Sequence, residues 1–165
     1  DFAARWIAEM VLLGDLDGET RVTDLGAGNG ILGIGCLLAG VASVELVEID
    51  SNCIHDHYAE RVKWSNHDVS EWKGTEVDLI VMNPPWGVQT TQADRVFLEK
   101  AFSSSAKVVY CLHNAHAKHV AAIAKDKGWK SDIVLKGEFK LPPKYEHHAS
   151  NSATTKVVVW RFCLD

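Results

Sequence analysis

Arg21-Val22-Thr23-Asp24-Leu25-Gly26-Ala27-Gly28-Asn29-Gly30 decides how this chain folds. A short apolar run ends at an acid, glycines follow at alternate positions, and a helical pattern opens at Ile31. Strand, glycine-rich turn and helix in that order open a parallel sheet that binds a ligand over its strand ends, because glycine permits tight turning and close backbone approach. Outward from this unit, strand-length runs at Ser43–Ile49, Val77–Asn83 and Lys107–His113, with a weaker one at Val62–Asn66, alternate with helical stretches. The helical stretches are Ile31–Ala39, Asn52–Arg61, Asp94–Phe102 and Ala115–Lys127, the last stopped by Gly128. The last third differs: Lys130–Leu141 and Thr154–Leu164 are β-rich with no helix between them, so they should pair antiparallel. Pro142-Pro143 and the polar residues after them cannot continue a central strand and should form an exposed loop. The expectation is one α/β domain over residues 1–165: a mostly parallel seven-stranded sheet ending in an antiparallel pair, with helices on both faces.

Composition bounds the function. With 165 residues, 47% of them hydrophobic, the chain suits a single core, and its apolar runs stop well short of the roughly 20 residues of a membrane span. Asp1–Met10 reads as an amphipathic helix without the basic start of a secretory signal. Cys36, Cys53, Cys111 and Cys163 form no CxxC pair and read as free thiols in a reducing cytoplasm. His113, His116 and His119 recur every third residue and His55 and His57 lie close together, but no acid or cysteine completes either set at helical spacing, so no metal is expected. A net charge of −5 argues against a broad phosphate-binding surface, while Lys136, Lys140, Lys144 and Lys156 offer a local basic rim around a histidine-containing loop.

Gly28, Gly30 and Gly33 satisfy GxGxxG, a pattern that on its own also fits a dinucleotide. The acids favour S-adenosylmethionine. Asp24 sits two residues before Gly26, where a carboxylate can accept hydrogen bonds from the cofactor's ammonium group, and a pyrophosphate would be repelled there. Glu48, at the end of the second strand, can accept both ribose hydroxyls; Ile49 can lie against the adenine, Asp50 is a second acid, and Asp68 can accept from the adenine amine. With Gly26, Gly28 and Gly30 these form the expected cofactor set. The competing reading is that the acids cap helices, which weighs most on Asp50 and Asp68.

Asn83-Pro84-Pro85-Trp86 follows the apolar run Leu79–Met82, at the strand end where the cofactor's methyl group would lie, so Asn83 counts with both sites. An exocyclic amine is a poor nucleophile, its lone pair being delocalised into the ring. The Asn83 side-chain oxygen and the Pro84 carbonyl can each accept an amine hydrogen, draw the nitrogen toward tetrahedral geometry and stabilise the developing charge. The two prolines stiffen the segment, and Trp86 offers a flat face for an unstacked base. A structural Pro-Pro turn is the plain alternative; its coincidence with the glycine loop and the acids argues against it.

These motifs, with Asp94-x-x-Phe97-Leu98, Ala101, Val108–Val120 and Phe139–Phe162, resemble the methyltransferase-like five family of rRNA adenine N6-methyltransferases. The resemblance runs from Asp24 to the end of the chain. It implies a Rossmann-like class I methyltransferase domain, S-adenosylmethionine as cofactor, one adenosine of small-subunit rRNA as target, and Asn83, Pro84, Pro85 and Trp86 as catalytic loop. Trp86 stands where the family more usually has Phe. The family's eukaryotic members use a small zinc-binding activator protein as partner. Lys144, Tyr145, His147 and His148 are candidate RNA contacts. Two other functions compete: a protein glutamine N5-methyltransferase, which uses the same two acceptors but usually carries Tyr as fourth residue, and a non-catalytic RNA-binding ribosome-assembly factor.

Overall fold

A computed structural model describes residues 1–53, 60–86, 93–140 and 154–164. Its elements in chain order are α1 (Phe2–Leu12), β1 (Arg21–Leu25), α2 (Ile31–Leu38), β2 (Ser43–Val47), β3 (Val62–Ser65), β4 (Leu79–Met82), α3 (Ala93–Phe102), β5 (Val108–Asn114), α4 (Lys118–Asp126), β6 (Lys130–Lys140) and β7 (Thr154–Cys163). Most of the helix expected at Asn52–Arg61 and the loop after Leu141 fall outside the described residues; Ser51–Cys53 form a 3-10 turn.

The strands join in one seven-stranded sheet of order β3-β2-β1-β4-β5-β7-β6. β1 through β5 run parallel, and β7 pairs antiparallel with both β5 and β6, as the two β-rich C-terminal runs anticipate. Strand order reverses between β1 and β4, so the chain leaving β1 turns one way and the chain leaving β4 the other. That divergence opens a crevice beyond Leu25 and Met82, which are register partners.

Alternation along the strands feeds two cores. Leu79 and Val81 of β4 and Tyr110 and Leu112 of β5 face Trp6 and Met10 of α1 and Leu32 and Cys36 of α2. Ile80, Met82, Val109 and Cys111 face Leu98 and Phe102 of α3 and Val120 and Ala124 of α4. A parallel strand covered on both faces has to be apolar at every position, and β4, LIVM, is buried throughout.

Boundaries move from the sequence expectation for local reasons. β1 stops at Leu25 because Gly26 turns to φ +71°, and β2 stops at Val47, its carbonyl accepting from the N–H groups of Gly26 and Ala27 at 2.9 and 3.0 Å. α4 begins three residues late because the Asn114 side chain accepts from the His116 N–H at 2.9 Å and holds a turn first. Its end fits the expectation: Gly128 adopts φ +82°, and the N–H groups of Gly128 and Trp129 return to Lys125 and Ala124 in a Schellman closure.

At the far end of the sheet, Asp15 in the turn after α1 receives two bonds from Arg161 of β7, at 2.7 and 2.8 Å, and one from the Tyr110 hydroxyl at 2.5 Å. Burial and the Asp15 carboxylate push the Tyr110 phenol up, and the bond to Asp15 raises Arg161. This ion pair closes α1 over strands far along the chain.

Candidate active site

A cleft of about 430 Å³ lies at the carboxyl ends of β1, β2 and β4, lined by Gly26, Glu48, Ile49, Asp68, Asn83 and Pro85 together with Ala93, Val96 and Phe97 of α3. Six residues singled out from sequence thus meet in one space, which falls in the range for small-molecule sites. A larger groove of about 930 Å³ at the opposite ends of β1, β2 and β3 contains none of them. Its position excludes it as the ligand site of an open α/β sheet, whatever its size.

The loop floor depends on two glycines in particular. A Cβ on Gly26 would stand 2.7 Å from the Phe97 ring, and one on Gly33 would stand 2.4 Å from Leu46 and 2.9 Å from Val44. Gly33 therefore lets α2 sit close on the sheet, while Gly26 lets the chain turn beneath α3.

Asp24 is 1% exposed and accepts from the Gly33 N–H at 2.8 Å. Burial pushes its carboxyl up to about 7; the Gly33 bond opposes this and the charge of Glu48 adds to it. Glu48 accepts from the Gly28 N–H at 2.7 Å with one oxygen and from the Asp50 N–H at 2.9 Å with the other, bridging the glycine loop and the end of β2. Each oxygen keeps a lone pair for a further donor. Ile49 is 64% exposed beside it, a large apolar face open to the cleft.

The capping alternative holds for Asp50 and Asp68, and Asp24 also accepts from an N–H in the first turn of α2. Asp50 accepts from the Asn52 backbone and side chain at 2.9 and 2.8 Å, holding the 3-10 turn, and does not line the cleft. Asp68 caps the 3-10 turn Val69–Glu71 by accepting from the Ser70 N–H at 2.8 Å, and its bonds to Ser70 hold its carboxyl below the usual aspartate value. Asp68 nevertheless borders the cleft, so capping and ligand contact coexist there.

Beyond β4, Asn83 and Pro85 are exposed at the cleft, Pro84 is buried, and Trp86 is half-buried, with its indole over the His113 imidazole at 6.1 Å between ring centres and 29° between planes. Lys144, Tyr145, His147 and His148 lie outside the described residues. Of the basic rim, Lys136 and Lys156 are exposed, and Lys136 shares a sheet row with His113 through Val158.

Two features escaped the sequence. Phe97 and Val96 line the cleft from a helix whose spacing announces only core packing. The acid missing from the histidine sets comes from another element: Asp94 of α3 meets His113 of β5 and His119 of α4, their ligand atoms within 4.8 Å of one another. No spacing within one helix could have shown this.

Gly26 of the glycine loop, Glu48 and Ile49 after β2, and Asn83 and Pro85 after β4 line one crevice, whereas Asp24, Gly28, Gly30, Pro84 and Trp86 do not; the layout is that of a class I methyltransferase with S-adenosylmethionine as cofactor. The comparisons agree. Residues 7–109 match the family model of the methyltransferase small domain, and the chain belongs to that family. It is 32% identical to the uncharacterized protein MJ0284 of Methanocaldococcus jannaschii, over 85% of this chain and 72% of that one. It is 29% identical to the rRNA N(6)-adenosine-methyltransferase METTL5 of Danio rerio, over 86% of this chain and 74% of the relative. In structure it is similar to PH1948 from Pyrococcus horikoshii, a provisionally assigned RNA methyltransferase, with TM-score 0.85 and 31% identity, covering 98% of this chain and 82% of the other.

Proposed function

We propose that this enzyme methylates the N6 amine of adenosine in RNA, with one adenosine of small-subunit rRNA as target, in the cytoplasm. The observation that carries the reading is the placement of Asn83 on the same cleft as Glu48 and Ile49, on strands either side of β1. Binding and chemistry then share one crevice. Similarity to METTL5 of Danio rerio supports adenosine and rRNA as substrate class.

S-adenosylmethionine supplies an electrophilic methyl group when bound. The chain's residues do the rest. Glu48 and Ile49 hold the ribose and adenine ends, Asp24 faces the ammonium, and Gly26, Gly28 and Gly30 admit the ligand close to the backbone. Asn83 and the Pro84 carbonyl accept the two hydrogens of the target amine, leaving its lone pair directed at the methyl. No general base is required, because the proton becomes acidic as the new bond forms. Trp86 supports the unstacked base, a contact worth roughly 1–3 kcal/mol. Lys136 and Lys156 hold phosphates at the rim, and Lys144, Tyr145 and His147 are further candidate RNA contacts.

Methyl transfer from labelled S-adenosylmethionine to deproteinised ribosomal subunits and total RNA tests the reading. Label in N6-methyladenosine of small-subunit RNA is expected. Label in protein glutamine, or none with any RNA, refutes it. Repeating the assay with the chain alone tests the implied need for a small zinc-binding activator, which turnover by the single chain would rule out.

A further inference from the structure

Within the Asn83–Trp86 segment, Trp86 is held without a polar anchor. Its indole N–H is buried without a hydrogen-bond partner among the described residues, so packing alone fixes the ring. Its ring neighbour is His113, 4% exposed at the end of β5.

His113, by contrast, is held at both nitrogens. The Asn114 backbone N–H donates to Nδ1 at 2.9 Å, so that nitrogen carries no proton while the ring is neutral. Nε2 therefore bears the hydrogen and donates to Asp94 Oδ2 at 2.9 Å, a tautomer assigned from the bonding pattern. Burial pushes the His113 pKa down despite Asp94, consistent with a neutral ring. Asp94, also buried, accepts a second bond from His119 at 2.5 Å; burial acts to raise its carboxyl, but the bonds from His119 and His113 outweigh that and hold it low.

The same pattern argues against a metal among Asp94, His113 and His119. A ligating imidazole presents a bare nitrogen to the ion and donates its other N–H outward. His113 does the reverse, with its hydrogen toward the cluster and its bare nitrogen on the backbone. Asp94 sits in the first turn of α3, and β4 ends at Met82, so Asp94 and His113 join the returning end of the catalytic segment to the strand beside its departing end.

We propose that Asp94 and His113 are positioning residues that set the plane of Trp86, one residue beyond the cleft-lining Pro85, Asp94 acting through the His113 imidazole. The consequence for turnover rests on Trp86 stacking the target base. The full chain labelled with 5-fluorotryptophan gives a direct readout: of six tryptophans, Trp86 is identified by the fluorine line lost in Trp86→Phe. Asp94→Ala and His113→Ala should shift the Trp86 line and leave that of Trp6, buried under α1 in the core that Trp86 borders, unmoved. Asp94→Asn, which keeps an acceptor for Nε2–H, should restore the line. On RNA, the two alanine variants should lose about tenfold or more in kcat with unchanged cofactor Kd, and Asp94→Asn should recover most of it. If Asp94→Ala does not fold, His113→Gln, which keeps a donor toward Asp94 but removes the ring, must move the line. An unmoved Trp86 line in the folded variants overturns the proposal, as would a wild-type line that shifts on chelation, which would signal a metal. A wild-type chain inert on every RNA removes the substrate reading and leaves the fluorine result standing.

Discussion

Replacing Asp24 with asparagine should stabilise the ligand-free protein at alkaline pH while weakening cofactor binding. The folded chain keeps the Asp24 proton up to about pH 7, whereas an unfolded chain releases it around the ordinary aspartate value of 3.8. Between those values the folded state binds more protons, so stability falls as pH rises. At pH 8 the buried carboxylate costs about 4 kcal/mol, and at pH 5 about 1.5 kcal/mol, a pH-dependent loss of about 2.5 kcal/mol. The Asp24→Asn side chain would keep an acceptor for the Gly33 N–H but bury an amide NH2 at a cost of roughly 1–3 kcal/mol, so the net gain at pH 8 should be roughly 1–3 kcal/mol. For a domain of this size that is a rise in Tm of roughly 3–10 °C. The gain should vanish or reverse at pH 5. Thermal melts at both pH values, with and without S-adenosylmethionine, make the test. The ligand's ammonium should compensate the wild-type carboxylate, and the variant should lose roughly ten- to a hundredfold in affinity with a charge-assisted bond gone. If wild type and variant lose equal stability from pH 5 to pH 8, Asp24 does not titrate near neutrality and the reasoning fails.

Glu48→Gln keeps an acceptor but replaces the other with a donor facing the Gly28 or Asp50 N–H; calorimetry should show cofactor affinity down at least tenfold, and an unchanged Kd would remove Glu48 from the ribose site. Gly33→Ala places a methyl against Leu46 and Val44 and should cost roughly 1–3 kcal/mol in urea unfolding; a neutral result would mean α2 is not tightly seated. Asp15→Ala strands Arg161 and Tyr110 and should cost roughly 3–5 kcal/mol by the same measurement, with cofactor Kd unaffected in the folded fraction. Trp86→Ala should lower turnover more than Trp86→Phe; full turnover by the alanine variant with loss in the phenylalanine one would contradict base stacking.

The layout was legible because β2, β4 and β5 are short runs rich in Val, Ile or Leu, β1 is closed by the glycine turn, and Lys130–Lys140 and Thr154–Cys163 read as two consecutive β-rich runs. Ends were less so. A strand stops where hydrogen bonding stops, and the Val47 carbonyl turns to Gly26 and Ala27 for reasons that lie across the sheet. The site divides the same way. Gly26, Glu48, Ile49 and Asn83 are fixed by the turn after a strand, so their convergence followed from topology. Asp50 looked equivalent to Glu48 in one dimension, yet one further residue carries it away from the cleft and into a turn. Asp94 could not be joined to His113 and His119 because the three stand on α3, β5 and α4 and meet only when the second core closes.

The place of β7 has a consequence for biogenesis. Last in chain order of the seven described strands, it lies inside the sheet, between β5 and β6, where Cys163 pairs with Val108 and Lys130. Until it arrives, β5 is an open apolar edge beside β4, exposed to pairing with other chains. Arg161, the partner of Asp15, comes with it. An emerging polypeptide can therefore assemble the cofactor half early but cannot seal either core until β7 has been made. A prematurely terminated product should be an aggregating, rapidly degraded species and not a weak enzyme.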